Sequence, residues 1–244
     1  GFVEFNPAIA NDVHDVLRYT DNIPAGFHLP LISEHGFDFS CLDAKDRIDD
    51  TIDFINRYRH QLNLLYCVAH PPESSHENNS TEDSLEFLIE NLQRLEVPVL
   101  LENVESWAER DFDKLAELIR RQLKKKFIGY CFDPAHAYLR GEDIFSRFGR
   151  IAQIVRCIHL SDCLPGNDAH LPLGQGELPI ARFLKHVAKH HYDGVINLEI
   201  VPKSLAEAKT VLKSYLQVLR MFKKLKYLKT MAKLLAKGFQ VAPS

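Results

Sequence analysis

Hydrophobic and polar positions follow two recurring patterns along this chain. Short runs rich in Val, Ile, Leu and Phe, typical of buried strands, alternate with longer stretches in which apolar residues return at helical spacing. This succession of βα units predicts a parallel sheet. Seven strands are predicted: Phe2–Phe5, Gly26–Pro30, Leu64–His70, Val97–Val104, Ile128–Asp133, Arg156–Ser161 and Val195–Ile200.

Helices are predicted between these strands, at about residues 8–19, 45–60, 82–95, 111–123, 142–152 and 179–190. Acidic residues at a helix start, such as Glu82 and Asp83, suit the positive end of the helix dipole. Seven strands are one short of a closed (β/α)8 TIM barrel. We therefore expect this α/β fold, with its first strand lying before residue 1.

The last part of the chain differs from the rest in charge. Residues 203–244 contain ten Lys and Arg and one acid, Glu207, so they carry +9 and leave −12 on the remainder of a chain whose total is −3. We expect a barrel domain over residues 1–203 and a basic amphipathic helical segment over 204–244 that closes the barrel. Its Lys-rich face is interpreted as solvated, or alternatively as docking on an acidic partner or membrane surface. The apolar residues that recur there at helical spacing are Leu205, Leu212, Leu216, Leu219 and Phe222.

Composition narrows the class of protein. The 244 residues are 45% hydrophobic and 26% charged, which is typical of a compact soluble globule. No apolar run approaches the roughly 18 residues needed to cross a bilayer. Cys67, Cys131 and Cys157, three of the five cysteines, lie inside apolar strands, which favours free thiols in a reducing cytoplasm. The slight negative charge argues against a protein that coats nucleic acid.

Candidate chemistry lies where polar residues end successive strands. The spacing of these residues, 26 to 42 positions, is about one βα unit each time. Because each unit returns the chain to the same end of a barrel, their side chains are expected to converge at its mouth, where barrel enzymes keep their active sites. The strand-end residues are His28, His70, Glu102, Asp133, His159 and Glu199, and nearby His136, Asp168 and His170, the last two in the loop after His159, extend the set.

These nine side chains, five imidazoles and four carboxylates, suit zinc, manganese or iron(II) better than calcium or magnesium. One ion needs about four ligands, so nine are enough for two or three ions, an arrangement that activates water and holds a phosphoryl group. Nearby residues have two open roles each. Asn103 and Asp162 orient ligands or cap helices, and Trp107 stacks on substrate or packs on a helix. Gly174 and Gly176 form a tight backbone loop near the site or simply provide turn geometry.

Five segments in order resemble motifs of the xylose isomerase-like barrel superfamily, which contains sugar isomerases and epimerases and apurinic-site endonucleases of the endonuclease IV type. The likeness spans roughly residues 1–203. The segments are Leu100–Val104, Phe132–Ala137, His159–Asp162, Asp168–Glu177 and Asn197–Ile200.

The resemblance implies different metal sites in the two branches. In the isomerase and epimerase branch, the counterparts of Glu102, Asp133, His159 and Glu199 hold one Mn²⁺-like ion, the two glutamates move the proton, and the counterpart of His136 touches substrate. In the endonuclease branch, the counterparts of all nine residues hold three zinc ions. This chain matches all nine positions. The DNA-inserting aromatic and arginine residues of that branch have no clear counterpart, since Leu29, Pro30 and Leu31 follow His28.

We therefore expect a divalent-metal enzyme with Glu102, Glu199 and His136 as catalytic residues. The leading hypothesis is a multinuclear hydrolase, with two or three Zn²⁺ ions, that acts on a phosphoester of a small or medium-sized molecule. The alternative is a single-metal sugar or sugar-phosphate isomerase or epimerase that uses Mn²⁺. An apurinic-site endonuclease and a non-catalytic metal-binding module are further alternatives. The expected partner is a phosphorylated or sugar-like small molecule rather than tightly bound duplex DNA, and homo-oligomer formation is left open.

Overall fold

A computed structural model describes residues 1–20, 22–73, 81–201 and 208–236. Within the described ranges the strands are β1 (Val3–Phe5), β2 (Ala25–His28), β3 (Leu64–Ala69), β4 (Val99–Glu102), β5 (Phe127–Phe132), β6 (Val155–Leu160), β7 (Asp162–Leu164), β8 (Asn167–Leu171) and β9 (Val195–Leu198). Seven of these strands form one sheet in the order β1-β2-β3-β4-β5-β6-β9, and the successive pairs from β1 to β6 are parallel. This order confirms the predicted run of βα units and is the strand order of a (β/α) barrel.

Helices occur at each of the six predicted places. The first is divided, because a 3-10 helix over Pro7–Asn11, capped by the Asn6 side chain, precedes the α-helix. Other 3-10 helices lie at Leu42–Ala44 and Lys124–Lys126. The α-helices of the described residues are α1 (Val13–Thr20), α2 (Ile32–His35), α3 (Lys45–Tyr58), α4 (Thr81–Arg94), α5 (Glu109–Leu123), α6 (Pro134–Leu139), α7 (Ile144–Ile151), α8 (Ile180–Lys189), α9 (Ala208–Phe222) and α10 (Lys224–Ala236).

The chain divides into two compact units. The first unit comprises Gly1–Asp133 with Ile154–Ile158, and the second comprises Pro134–Gln153 with His159–Ser244. In the first unit, α3 buries Ile48, Ile52 and Ile55, whose spacing of four and three residues places them on one helix face. Burial of each such side chain is worth about 1.5–3 kcal/mol, so this face anchors the helix.

The second unit has its own aromatic core. Phe148 of α7 meets Phe183 of α8 edge-on, with ring centroids 5.7 Å apart. The basic end predicted as one helical segment forms two helices, and α9 buries Leu216 and Leu219 as its apolar spacing predicts. Leu205 lies outside the described residues.

A hairpin follows β6 where the sequence predicted a loop. Strands β7 and β8 pair antiparallel, with Leu164 opposite Asn167, and Gly166 in the connecting turn has a φ of 66°. Asp168 and His170 therefore lie on a strand, which corrects their expected placement in a loop. The reason is the two-residue Pro-Gly connection, which closes a turn that the weak apolar alternation of the flanking residues does not predict.

All five cysteines are buried thiols that form no disulfide, as expected for Cys67, Cys131 and Cys157. Within the parts of the chain that the structure describes, no helix has both the length and the apolar character that crossing a membrane requires.

Candidate metal centres

In the first unit, two imidazoles approach one carboxylate oxygen. Nε2 of His28, at the end of β2, and Nε2 of His70, directly after β3, each lie 3.3 Å from Oε2 of Glu102, the last residue of β4. Glu102 is 1% exposed and His28 is 8% exposed. An ion bound tetrahedrally at about 2.0–2.2 Å separates its ligand atoms by roughly 3.3–3.6 Å. The spacing of this cluster is therefore that of ligands around one zinc ion.

The hydrogen bonds of His28 determine which ring nitrogen can bind a metal. Its Nδ1 lies 2.9 Å from the carbonyl oxygen of Leu29, which can only accept, so Nδ1 carries the proton. In the neutral ring, Nε2 then presents its lone pair toward Oε2 of Glu102. A proton or a bound cation between these two atoms removes the repulsion of their lone pairs, so the cluster can accept a cation at this position.

Asn103 fixes the backbone of Asp133, the acid that directly follows β5. The Asn103 side chain donates from Nδ2 to the carbonyl oxygen of Asp133 over 2.8 Å and accepts from the Asp133 amide over 2.9 Å. Asp133 is fully buried, and one of its carboxylate oxygens lies within 4.8 Å of one from Glu102. Of the two roles left open for Asn103, the structure favours orienting a ligand.

The loop after His70 is anchored by two side chains. Asp38, which is 5% exposed, accepts a hydrogen bond from the amide of Glu73 over 3.2 Å and from the amide of Ser40 over 2.7 Å. Trp107 donates from Nε1 to the carbonyl oxygen of Pro72 over 3.1 Å. Asp38 is not among the predicted site residues, although Asp-x-Ser is the signal of an Asx turn.

Beside Asp38, burial raises the pKa of the Cys41 thiol to about 12. Cys41 is therefore a neutral thiol at physiological pH. It lies 3.4 Å from Oδ1 of Asp38, to which its Sγ donates.

In the second unit, Asp168 contacts two imidazoles through one oxygen. Its Oδ2 lies 3.0 Å from Nε2 of His136, on α6, and 3.4 Å from Nε2 of His170, two residues further along β8. His170 has a φ of 44°, in the left-handed region that residues other than glycine seldom adopt. Such backbone strain persists where the surrounding structure holds it, and it is frequent at binding sites.

Two buried atoms of this cluster test whether a cation fits. Oδ1 of Asp168 and Nδ1 of His170 are buried and have no hydrogen-bond partner among the residues that the structure describes. Burying a carboxylate oxygen without a donor or cation is costly. Imidazole nitrogens and carboxylate oxygens are donors that zinc and manganese accept, so the chemistry of Asp168 with either imidazole suits a divalent transition metal. Among the described residues, the sets whose ligand atoms all lie within 4.8 Å of one another include His28, His70 and Glu102 and do not include His136, Asp168 and His170 together.

A second pair in this unit joins the ends of β6 and β9. Nδ1 of His159 lies 3.2 Å from Oε2 of Glu199, and His159 is fully buried. The amide of Glu199 donates to the carbonyl oxygen of Leu160 over 3.2 Å, which fixes the position of the glutamate relative to β6. The imidazole–carboxylate distance of this pair lies within the 3.0–3.4 Å range of the other two clusters.

Asp162 organises the Gly-rich loop rather than a ligand. Its fully buried carboxylate accepts from the amides of Cys163, Gly174, Gly176 and Leu178 over 2.9–3.0 Å. A Cβ on Gly176 would lie 2.2 Å from the Cys163 carbonyl oxygen and 2.6 Å from Oδ1 of Asp162. Glycine is therefore required there by close backbone approach.

The structure places the nine predicted ligands in three sets. Six of them lie at or next to the carboxyl ends of β2, β3, β4, β5, β6 and β9, and the other three, His136, Asp168 and His170, lie on α6 and on the hairpin strand β8. The first unit brings together His28, His70 and Glu102, with Asp133 beside Glu102. The second unit brings together His136, Asp168 and His170, and it pairs His159 with Glu199.

Comparison with known proteins identifies a family. Residues 7–225 match the family described as xylose isomerase-like TIM barrel. A relative named probable endonuclease 4, from Nitrosopumilus maritimus, is 28% identical over 178 residues, which cover 61% of this chain and 60% of that protein. The match thus spans less than two thirds of that relative's length.

Two solved structures with this fold carry names that mention an endonuclease or a bound zinc atom. An AP endonuclease of family 2 from Brucella melitensis superposes with a TM-score of 0.67 at 16% identity, covering 85% of both chains. A structure of IOLI protein with a binding zinc atom superposes with a TM-score of 0.65 at 16% identity, covering 91% of this chain and 89% of the other. At these identities the likeness shows the fold.

Proposed function

Because the chain belongs to the xylose isomerase-like TIM barrel family, we propose that it is a multinuclear metal-dependent hydrolase that cleaves a phosphoester in a small or medium-sized molecule. The observation that carries the proposal is the presence of imidazole–carboxylate clusters in both units, with contacts of 3.0–3.4 Å. Five imidazoles and four carboxylates exceed what one ion requires. Two or three ions would need all nine of these side chains as ligands.

Bound divalent ions supply a nucleophile at neutral pH and neutralise charge on the leaving oxygen. The residues of this chain hold and orient these ions. Glu102 and Asp168 each contact two imidazoles through one oxygen and would hold ions together with those imidazoles. Asn103 holds the backbone that carries Asp133, so this ligand is oriented before any ion binds.

We assign the reacting groups to Glu102, Glu199 and His136. Glu102 ends β4 and Glu199 directly follows β9, and one of these carboxylates would take up the proton lost by the attacking water. His136 is held by Asp168 at 3.0 Å, and we assign its ring the contact with substrate. The name of the Nitrosopumilus relative and the zinc in the IOLI structure support metal-dependent phosphoester chemistry for this chain.

Metal content per chain tests the proposal. After purification without added metal, we expect elemental analysis to give two to three transition-metal ions per chain, mainly zinc, because the clusters of the two units each provide ligands. The same preparation is assayed for metal-dependent hydrolysis of phosphomonoesters and phosphodiesters. A value near one ion, with Mn²⁺ restoring activity after chelation, contradicts the proposal. That result favours the isomerase, in which one ion would coordinate the substrate while Glu102 and Glu199 transfer a proton.

A further inference from the structure

Helix α10 presents an apolar stripe to solvent. Leu225, Leu228 and Leu235 are 77%, 53% and 59% exposed, and no residue of this helix is buried. At 100° per residue, these three leucines fall within an arc of about 80° on one side of the helix. Single exposed leucines are ordinary, but three on one face of a short helix form an apolar patch of the kind that marks an interaction site.

The side of α10 that faces the protein is a different one. Tyr227, Thr230 and Leu234 are half-buried and lie on the side away from the leucine stripe, whereas Met231, also half-buried, lies about 40° from Leu235. The helix packs on α9, the preceding helix of the same unit. The exposed leucines are therefore not used in holding α10 to its own unit.

Lysines border the leucine stripe on both sides. By the same helical geometry, Lys224 lies at one edge, and Lys229 and Lys233 lie beyond the other. Across the described residues 208–236 there are eight Lys and Arg and no Asp or Glu. The surface that accepts this helix must therefore be both negatively charged and able to take up apolar side chains.

We infer that α10 docks on an anionic lipid surface. A helix with an apolar face bordered by lysines lies in the plane of a bilayer, with its leucines at the boundary between headgroups and acyl chains. Lysines near such a surface are attracted by its negative potential. A nucleic acid offers phosphates but no apolar layer for three leucines, so lipid fits both features. The inference concerns a surface and an activity apart from the proposed metal chemistry.

Binding to vesicles tests the inference in the full chain. We expect cosedimentation with vesicles that contain about 30% anionic phosphatidylglycerol in phosphatidylcholine, and little with phosphatidylcholine alone. The triple variant Leu225→Ser, Leu228→Ser, Leu235→Ser should bind the anionic vesicles at least about tenfold more weakly. Its thermal midpoint and metal content should stay unchanged, because these side chains are exposed.

A matched control and a charge variant complete the test. Leu118→Ser changes a leucine of α5 that is 38% exposed, and vesicle binding should not change. Replacing Lys224, Lys229 and Lys233 with Gln should weaken binding to anionic vesicles, as should raising the salt to about 0.5 M.

Four results would overturn the inference. These are absence of binding to anionic vesicles, equal binding by the leucine variant, a wild-type dimer that the leucine variant dissociates, and leucine-dependent binding to DNA in place of lipid.

Discussion

At the scale of single residues, the candidate ligands are oriented by ordinary backbone hydrogen bonds. The carbonyl oxygen of Leu29 fixes the tautomer of His28, and Asn103 holds the backbone of Asp133 from both sides. The sequence predicts the ligand types and their places at strand ends, because each βα unit repeats the same geometry. It does not predict that Glu102 and Asp168 each contact two imidazoles, since that depends on side-chain conformations set by packing.

Removing one ligand from each unit tests the multinuclear proposal at this scale. We expect His28→Ala and Asp168→Ala each to lose about one ion per chain and to lower turnover by orders of magnitude, because each removes a contact of 3.0–3.4 Å within its cluster. The measurements are elemental analysis and hydrolysis rate. His60→Ala, at an exposed position, is the matched control and should leave both unchanged. Full activity in both ligand variants, with the fold retained, would contradict the multinuclear site.

Asn103→Asp tests orientation without removing a ligand. The new carboxylate oxygen would face the carbonyl oxygen of Asp133 and replace a hydrogen bond with repulsion. We expect metal affinity to fall about 10–100-fold, the usual effect of losing a group that orients a ligand.

Asn56 provides a closely matched control for that experiment. Its side chain likewise bonds two backbone groups, the carbonyl oxygen of Arg94 and the amide of Glu96, at an exposed site. Asn56→Asp should leave metal affinity unchanged, as judged by competition with a chelator. Equal losses of affinity in the two variants would mean that Asn103 has only a general structural effect.

At the scale of elements, the strand ends are predictable and the hairpin is not. Strands β2 to β6 end where polar residues interrupt apolar runs, so their ends could be read from the sequence. The hairpin of β7 and β8 holds Asp168 and His170 instead of a loop, and only Pro165 and Gly166 signal it. The buried carboxylate of Asp162 accepts hydrogen bonds from four backbone amides. These hydrogen bonds could not be predicted from the sequence, because every residue has a backbone amide.

The Gly-rich loop makes a stability prediction at this scale. Gly176→Ala should destabilise the protein by about 1–3 kcal/mol, because the added Cβ overlaps the Cys163 carbonyl oxygen and the backbone must shift. Gly149→Ala in α7 is the control, since a Cβ there meets its nearest atom, in His190, at an ordinary 3.5 Å. That change should be neutral or slightly stabilising, as alanine favours a helix. Denaturant unfolding measures both, and equal stability of the two variants would contradict the clash.

At the scale of the whole molecule, the sequence predicts the order of the seven strands and the family. Local apolar patterns determine the succession of βα units along the chain. Because successive units place neighbouring strands side by side, that succession also determines the strand order. An eighth strand before residue 1 stays a prediction, and so do the barrel domain over residues 1–203 and the closing role of the basic segment over 204–244. Substrate choice depends on the side chains around the candidate ligands, and the types of those side chains do not specify one substrate, so it could not be predicted from patterns.

The uneven distribution of charge along the chain predicts weak binding to duplex DNA. Contacts of Lys and Arg with phosphates supply most non-specific affinity, and this affinity falls steeply with salt. Residues 203–244 carry +9, whereas the rest of the chain carries −12. We therefore expect only weak, salt-sensitive binding that depends on the basic segment. A chain ending at residue 222, which lacks the lysines of α10, should bind still more weakly.

The measurement is a salt titration of binding to a duplex that contains an abasic site, paired with a cleavage assay on the same duplex. At about 150 mM salt we expect affinity weaker than micromolar and no metal-dependent incision. An abasic sugar is presented to metals only when the duplex is held closely, and repulsion from the acidic part of the chain opposes that approach. Sub-micromolar affinity with metal-dependent incision would instead establish an apurinic-site endonuclease, in keeping with the name of the Nitrosopumilus relative.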